Sequence, residues 1–523
     1  MSMLTIRFAG DEGAEGLRLK MAEGARLDGA IRAAGVEMAM PCGGRHTCGK
    51  CVVQVRGMGC ATDEVERALL ANLRKPAPRE GYSWRMACLC CVEGDAEILL
   101  DDARKDLQVS AISAYRQPNS MSSAGKRGMA IDIGTTTVSV ALFALDSGAL
   151  LSEAHELNAQ GKFGADVLSR IDHSNEHGIL AQSECIREQL ARMSQMVCES
   201  AGLDAPDQIV AAGNTTMLHY LAALDPRGIG ISPFVPMSLF GNTFDINGRK
   251  MYLPHCVSAY VGADITCGML VAGFYAADGP RMLVDVGTNG EMALFANGEM
   301  ICCATAAGPA FEGAQIDMGM TATRGAIAKV RGDGGRIVCE TIGDAPAVGI
   351  CGTGLISAVY LMLQSGALDE SGRIERDGHA YANCVFERAD QRCFALGESG
   401  VYLSQRDIRN IQLAKAAIRA GIETLLHEAK LPAASLEALC IGGGFGSYID
   451  PIEAAGIGLF PEESLGAFRA LGNTSLIGAA SILCEEGAKE KVAQFAAHMR
   501  EISLATHPYF MDQYVEQMMF EEA

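Results

Sequence analysis

The sequence is short of positive charge and of long apolar segments. Its 523 residues include 43 lysines and arginines against 63 aspartates and glutamates, which gives a formal net charge of −20 without any Lys/Arg cluster. This balance argues against a nucleic acid or a membrane surface as a partner, because both require a basic footprint. The best candidate for a membrane span, residues 346–368, contains four glycines and therefore favours a turn and a buried helix.

The first residues, MSMLTIRFAGDEG, also lack the basic start and continuous apolar stretch of a secretory signal. We therefore expect a cytoplasmic protein. Its 19 cysteines are not expected to form disulfides, because cytosolic thiols are kept reduced, so some are expected to bind metal. With 49% hydrophobic residues, the chain has the composition of a folded, core-forming protein.

Composition and pattern divide the chain into three parts. Residues 1–100 carry equal numbers of acidic and basic residues, seven of the cysteines, and short alternating runs around two helical patterns. This predicts a small α+β domain. Residues 101–127 are polar and read as a flexible linker, whereas residues 128–523 have the pattern of a larger α/β domain.

Four cysteines near the start form the most specific metal motif. Cys42, Cys48 and Cys51 are spaced C-x5-C-x2-C, and Cys88 follows 36 intervening residues later. Four thiolates on a glycine-rich loop can hold an iron–sulfur cluster. A structural zinc site or unliganded thiols are the alternatives, although zinc sites usually combine two short C-x2-C pairs and only one is present here.

The same spacing resembles a 2Fe-2S ferredoxin domain with a β-grasp fold over residues 1–100. In that family the fourth ligand lies in an R-x-A-C segment, which matches residues 85–88 of this chain. The resemblance leaves Cys60, Cys90 and Cys91 without an assigned role. Buried free cysteines commonly act as small apolar side chains, and this is the expectation for all three.

An internal repeat marks the larger domain. GMAIDIGTTTVSVALFAL (128–145) and RMLVDVGTNGEMALF (281–295) each combine an apolar strand, an Asp-x-Gly-Thr turn and a second strand. Such a turn offers backbone amides and a hydroxyl to phosphate and a carboxylate to Mg²⁺, although a ligand-free hairpin has the same residues. Two copies suggest a duplicated fold with a cleft between its halves. The candidate residues are Asp132, Gly134, Thr135 and Thr136 in the first turn and Asp285, Gly287, Thr288 and Asn289 in the second.

A third segment, LEALCIGGGFGSYID, runs from an apolar strand into Gly442, Gly443 and Gly444, which leave room for a base or ribose against the backbone. The order of two phosphate loops, this segment and a late helix containing Gly472 and Gly478 resembles the actin/hexokinase/Hsp70-like ATPases. That resemblance implies ATP and Mg²⁺ between two ribonuclease-H-like halves. No P-loop motif G-x4-G-K-[ST] occurs.

Catalytic candidates follow from the same turns. Asp132 and Asp285 are the expected catalytic carboxylates, and Glu291 would orient or activate the attacking water or, alternatively, be a solvated strand residue. Asp264 is a Mg²⁺ partner or, more simply, a helix-capping residue. The glycine-rich segments 306–313 and 349–354 either line the cleft or form tight turns.

The combination of both modules, with strings such as GNTTMLHYL, DVGTNGEM and AAGPAFEGA, resembles the reductive activators of corrinoid proteins. That family implies ATP-dependent one-electron reduction of Co(II) to Co(I) on a corrinoid methyltransferase component, with electrons from a low-potential donor. Homodimerisation is plausible for such a family. No cobalt-binding D-x-H-x-x-G pattern appears, which fits a corrinoid carried by the partner. Some members carry a further middle domain, and we expect this chain to lack it.

Other functions fit parts of the sequence. One is an ATP-driven electron injector for another low-potential enzyme, but those relatives lack a fused ferredoxin domain. Another is a nucleotide-gated binding protein with a redox sensor. A small-molecule kinase is disfavoured, because a ferredoxin domain has no role in phosphoryl transfer.

Overall fold

The computed structural model describes residues 2–8, 17–33, 51–57, 60–71, 77–100, 125–443 and 448–521. The chain divides into two compact units. The first comprises Met1–Leu107 together with Glu156–Glu176, and the second comprises Gln108–His155 and His177–Ala523. In the described part of the chain, no helix is both long and apolar enough to cross a membrane.

The first unit contains a five-stranded mixed sheet. Its elements are β1 (Ser2–Phe8), β2 (Leu17–Met21), α1 (Leu27–Ala33), β3 (Val52–Arg56), α2 (Glu64–Ala71), β4 (Ser83–Met86) and β5 (Ala96–Leu100). The strand order is β2-β1-β5-β3-β4, with β1 parallel to β5 and the other pairs antiparallel. Alternate residues such as Leu4, Ile6, Val53 and Val55 are buried, as a sheet with one covered face requires. Most of α3 (Val167–His177) belongs to the second segment of this unit.

The second unit begins with a six-stranded sheet. Its strands are β6 (Arg127–Ile133), β7 (Thr137–Ala144), β8 (Leu150–Leu157), β9 (Gln208–Gly213), β10 (Asn242–Ile246) and β11 (Arg249–Leu253), in the order β10-β11-β9-β6-β7-β8. The helices of this region are α4 (Leu180–Ser200), α5 (Thr215–Ala222), α6 (Arg227–Gly230) and α7 (Ala263–Val271).

A second six-stranded sheet follows. It consists of β12 (Arg281–Val286), β13 (Gly290–Ala296), β14 (Glu299–Thr305), β21 (Ala438–Gly442), β22 (Phe468–Gly472) and β23 (Met499–Glu501), in the order β22-β21-β12-β13-β14-β23. Two three-stranded sheets lie between β14 and β21 in the chain: β15 (Ala326–Asp333), β16 (Arg336–Thr341) and β17 (Gly349–Ile350), then β18 (Val385–Arg388), β19 (Gln391–Ala395) and β20 (Tyr402–Ser404). The helices are α8 (Gly352–Gln364), α9 (Gln405–Ala429), α10 (Pro451–Gly456), α11 (Thr474–Cys484), α12 (Ala488–His498) and α13 (Pro508–Glu516).

The two large sheets share one plan, as the repeated sequence motif predicts. In the first, β6 is antiparallel to β7 and parallel to β9. In the second, β12 is antiparallel to β13 and parallel to β21. The Asp-x-Gly-Thr turns therefore occupy equivalent positions, at the end of the central strand of each sheet.

Two helices fill the space between these sheets. All residues of α11 are buried, and this helix packs on α7 and on β6 and β9. One apolar cluster joins both helices to residues of both sheets, including Met129 of β6 and Leu283 of β12. Burial of this continuous apolar surface holds the ends of β6 and β12 in a fixed relation.

Candidate functional site

Two of the four predicted cluster ligands are brought together in the first unit. Cys51 immediately precedes β3 and Cys88 lies in the turn after β4, and their Sγ atoms are 3.1 Å apart. Both side chains are buried. The backbone enforces this proximity, because Val52 pairs with Met86 and Ala87 N donates to Cys51 O at 2.8 Å. Cys42 and Cys48 lie outside the described residues.

A buried ion pair fixes the segment that carries Cys88. Arg85 donates from Nε and Nη2 to the two carboxylate oxygens of Glu66 at 2.8 and 2.9 Å. Glu66 Oε1 also accepts from Met86 N at 2.8 Å, and Arg85 Nη1 donates to Cys60 O at 2.9 Å. Bidentate geometry of this kind orients both partners. Arg85, the arginine of the R-x-A-C segment, thus links strand β4 by hydrogen bonds to helix α2 and to the loop that contains Cys60.

Two of the three remaining described thiols of this unit form a second pair. Cys60 and Cys90 have their Sγ atoms 3.3 Å apart, and burial raises the pKa of the Cys90 thiol well above its usual value. Cys90 is fully buried, as expected for a small apolar side chain, whereas Cys60 and Cys91 are half-buried. Among the residues with described positions, no three His, Cys, Asp or Glu side chains converge closely enough to hold a metal ion.

The first predicted phosphate loop lies at the end of β6. Gly134 N donates to Thr137 O at 3.0 Å, which closes the turn. Asn214, the N-cap of α5, donates from Nδ2 to Thr135 Oγ1 at 3.1 Å, so the GNTTM segment contacts this loop directly. Asp132 is the last-but-one residue of its strand and is oriented by donors from the start of α11.

The second predicted loop lies at the end of β12. Asp285 and Glu291 are direct partners across the β12–β13 pair, so both side chains lie on one face of the sheet. The loop closes through Gly287 N, which donates to Asn289 O at 3.0 Å. Thr288 and Glu291 are buried.

The glycine-rich segment adjoins this second loop. Gly442 pairs with Asp285 on one side and with Gly472 on the other. A Cβ atom at Gly443 would lie 2.6 Å from Asp285 Oδ1, and the φ of +85° at this position also favours glycine. The structure thus brings together the second loop, the start of the glycine segment and the strand that precedes the late helix. Gly444 lies outside the described residues.

The carboxyl groups around both loops influence one another electrostatically. Desolvation raises the pKa of Asp285 to about 8, and the charges of Asp264, Asp132 and Glu312 add to this effect. Desolvation also raises the pKa of Asp264 to about 7 and that of Asp132, and it raises that of Glu291 well above its usual value. Such a cluster of shifted carboxyls is typical of a site that binds a cation or transfers protons.

Asp264 lies in the first turn of α7, where its Oδ1 accepts from Ile265 N at 2.9 Å. The expectation that Asp264 caps this helix is wrong, because the N-cap residue is Gly262 and no side chain caps the helix. The charge of Asp264 acts instead on Asp285 and Glu291. The segment 349–354 forms a tight connection into α8. There Gly354 packs against the backbone of Ile327, so this segment has a packing role.

Glu312, the last residue of the 3₁₀ turn Pro309–Glu312, is a residue of this site that the sequence motifs do not identify. Its Oε2 accepts from Thr136 Oγ1 and from Thr288 Oγ1, both at 2.7 Å, and its Oε1 accepts from Thr288 N at 3.1 Å. One carboxylate therefore joins both predicted phosphate loops. The only signal in the sequence is the glycine-rich segment 306–313, whose residues fit a cleft lining and a tight turn equally well.

Comparisons with known proteins agree with this arrangement. The family model described as the C-terminal domain of RACo, the ASKHA domain, matches residues 280–523, and the model described as the RACo middle region matches residues 127–277. The corrinoid activation enzyme RamQ of Eubacterium limosum is 35% identical, over 75% of this chain and 70% of that protein. The chain belongs to the RACo family.

Two further relatives cover most of the chain. The [Co(II) methylated amine-specific corrinoid protein] reductase of Methanosarcina barkeri is 25% identical over 75% of this chain and 77% of its own length. A solved structure titled reductive activator for corrinoid, iron–sulfur protein matches with a TM-score of 0.69 and 28% identity, covering 99% of this chain and 98% of that one. The match to the model of the RACo middle region covers the first large sheet and its helices, so the expectation that the chain lacks a further middle domain between the linker and residue 128 stays a prediction.

Proposed function

We propose that this protein activates a corrinoid protein by ATP-dependent, one-electron reduction of Co(II) to Co(I). The observation that carries the proposal is the 35% identity to a corrinoid activation enzyme over 70% of that enzyme's length. The geometry supports it, because one chain combines a buried thiol pair with two loops suited to phosphate.

We assign a 2Fe-2S cluster to Cys42, Cys48, Cys51 and Cys88. The described thiols fit this group, because Cys51 and Cys88 are buried side by side, with Sγ atoms 3.1 Å apart, and are held there by backbone hydrogen bonds. The strand order β2-β1-β5-β3-β4 supports the assignment of a β-grasp ferredoxin domain. When bound, the cluster would carry one electron at a time. Around it, Arg85 and Glu66 hold the Cys88 turn in place.

For the nucleotide, we assign Mg²⁺ to the carboxylates of Asp132 and Asp285. Mg²⁺ keeps several waters and typically takes only one or two carboxylates, so it does not need a larger cluster of protein ligands. The amide and hydroxyl donors of Gly134, Thr135, Thr136, Gly287, Thr288 and Asn289 would bind phosphates, and Gly442, Gly443 and Gly444 would bind the adenosine. Glu291 lies opposite Asp285 and would orient the attacking water.

The pairing of these two sites has a thermodynamic reason. Co(I) is a stronger reductant than a ferredoxin-type cluster, and a deficit of about 240 mV for one electron equals about 5.5 kcal/mol. Binding that favours one state about 10⁴-fold supplies the same free energy. ATP would provide it by stabilising a complex in which the Co(II) form of the partner is destabilised. The physiological partners would be a corrinoid methyltransferase component and a low-potential electron donor in the cytoplasm.

The test is spectroscopic. Reduced protein is mixed anaerobically with candidate Co(II) corrinoid proteins, with Mg-ATP, with Mg-AMP or without nucleotide. Reduction of the protein should first bleach the absorption of the oxidised cluster. After mixing, we expect Co(I) absorption only in the sample that contains Mg-ATP. Protein that is colourless after anaerobic preparation would refute the cluster assignment. Equal Co(I) yields with and without Mg-ATP would refute the coupling.

A further inference from the structure

The carboxylate of Glu312 accepts from three of the donors that the proposed nucleotide site offers to phosphate. Its Oε2 takes both threonine hydroxyls at 2.7 Å, one from each loop, and its Oε1 takes the Thr288 amide at 3.1 Å. A carboxylate and a phosphate present the same kind of acceptor: negatively charged oxygens that accept short, charge-assisted hydrogen bonds. Both loops are therefore bound to an internal anion.

This arrangement excludes a phosphate from the same donors. A hydroxyl hydrogen is donated to one acceptor at a time, so Thr136 and Thr288 cannot donate to Glu312 and to a phosphate together. The charge of Glu312 also acts on its neighbourhood, since it contributes to the raised pKa of Asp285. A second anion beside Glu312 would meet the same repulsion.

The segment that carries Glu312 can release it. The 3₁₀ turn Pro309–Glu312 is short and is flanked by Gly308 and Gly313, both in the left-handed region with φ of 83° and 78°. Glu312 is only half-buried, so its side chain can reach water without leaving a buried charge. Gly308 N donates to Thr288 O at 2.9 Å, which keeps the start of the turn attached to the second loop.

We propose that Glu312 is an internal phosphate mimic, which holds the two phosphate loops together in the nucleotide-free protein and is displaced by a nucleotide phosphate. This inference rests on the proposed nucleotide site and states how nucleotide binding at that site is regulated. Phosphate binding then releases the Glu312 side chain, whereas Ala310 and Phe311 of the same turn stay buried in the core. Occupancy of the site is thereby linked to the position of the Glu312 carboxylate.

The direct test compares affinities for Mg-AMPPNP, a non-hydrolysable ATP analogue, and for adenosine by calorimetry. Glu312→Ala removes the competing anion, so we expect about tenfold tighter AMPPNP binding, the scale of hydrogen bonds to a charged group, with adenosine binding unchanged. Glu312→Gln keeps an oxygen acceptor but loses the charge, and we expect an intermediate gain. Glu340→Gln, at an exposed residue of β16, is the control.

Hydrogen exchange gives a second readout that does not depend on affinity. In the nucleotide-free protein, the Thr288 amide should exchange faster in Glu312→Ala and Glu312→Gln than in the wild type, because its acceptor is removed or weakened. AMPPNP should restore its protection in both variants. This measurement and Glu312→Gln keep the proposal testable if Glu312→Ala folds poorly.

The following outcomes of these experiments would contradict the proposal. Unchanged or weaker AMPPNP binding by both variants would mean that Glu312 does not compete with phosphate. Variants that lose ATP hydrolysis but keep the wild-type affinity for AMPPNP would show that Glu312 is a catalytic group instead. Wild-type protein that binds AMPPNP and generates Co(I), while the variants gain no affinity, overturns only this inference. Wild-type protein that binds no AMPPNP overturns the nucleotide site as well.

Discussion

Asp132 Oδ2 accepts a hydrogen bond of 2.8 Å from Asn473 Nδ2, although 341 positions separate the two residues. The other carboxylate oxygen of Asp132 accepts from Ser475 Oγ at 2.7 Å. These bonds oppose the effect of desolvation on the pKa of Asp132. The start of α11 therefore fixes the carboxylate that precedes the first phosphate loop.

We expect Ser475→Ala to lower the free energy of unfolding of the second unit by about 1.5–3 kcal/mol, the range for a hydrogen bond to a charged group. Ser475 does not cap α11, because Asn473 does, so the helix itself should persist. Denaturant unfolding followed by circular dichroism measures the change. Ser435→Ala, at a half-buried serine whose Oγ donates to the uncharged Pro432 O at 2.7 Å, is the control, and equal stabilities of the two variants would contradict the prediction.

Cys51→Ser should abolish the visible absorption of the cluster and the formation of Co(I), while calorimetry should show nucleotide binding unchanged. The reason is that Cys51 and Cys88 form the described half of the proposed ligand set. Cys60→Ser, which alters the second thiol pair, is the matched control and should keep the absorption. If Cys51→Ser protein remained coloured like the wild type, the ligand assignment would be wrong.

Glu66→Gln should destabilise the first unit by about 3–5 kcal/mol, because it leaves the buried Arg85 without its charge partner. Trp84 is the single tryptophan of the chain and lies in β4 beside Arg85, so thermal unfolding followed by its fluorescence reports this unit alone. Glu64→Gln, on the exposed side of the same helix, should melt like the wild type. Identical melting of both variants would refute a stabilising role of the ion pair.

Lys415 should make stability depend on pH. It is buried in α9 and donates to Met519 O at 2.6 Å, and burial together with the charge of Arg419 lowers its pKa to about 7. Between about pH 7 and pH 10 the unfolded chain binds more protons at this residue, so its contribution to the free energy of unfolding rises with pH.

Lys415→Met should therefore be more stable than the wild type by about 1–3 kcal/mol at pH 7 and below, and this gain should shrink toward pH 10. Denaturant unfolding at several pH values measures the difference. Lys430→Met, at an exposed lysine that ends the same helix, serves as the control. A gain of equal size at pH 6 and pH 10 would contradict the assignment of the pH dependence to Lys415.

The local parts of the site could be predicted from the sequence because each lies within a few residues. Asp132, Thr135 and Thr136 lie in or beside the first turn, and Asp285 and Glu291 lie in the strands on either side of the second, so the repeated motif identifies both. The proximity of Cys51 to Cys88 also followed, since the ferredoxin resemblance supplied the long-range pairing. The strand order of both large sheets agrees with the internal repeat.

Contacts between distant segments could not be predicted. Glu312 reaches Thr136 across 176 positions, and its own segment reads equally well as a tight turn. The donors that orient Asp132 are Asn473 and Ser475 at the start of α11, and no motif in the sequence marks either residue as its partner. Periodicity and motif spacing describe neighbours along the chain, whereas these contacts arise from the packing of α11 between the two sheets.

The central claim is that ATP at the two loops drives an electron from the cluster to cobalt. The most direct measurement is the Co(I) yield of Asp285→Ala with Mg-ATP, compared with the wild type and with Asp278→Ala, an exposed aspartate just before β12. The account predicts that Asp285→Ala keeps a reducible cluster but forms no Co(I), while Asp278→Ala behaves like the wild type. Normal ATP-dependent Co(I) formation by Asp285→Ala would contradict it.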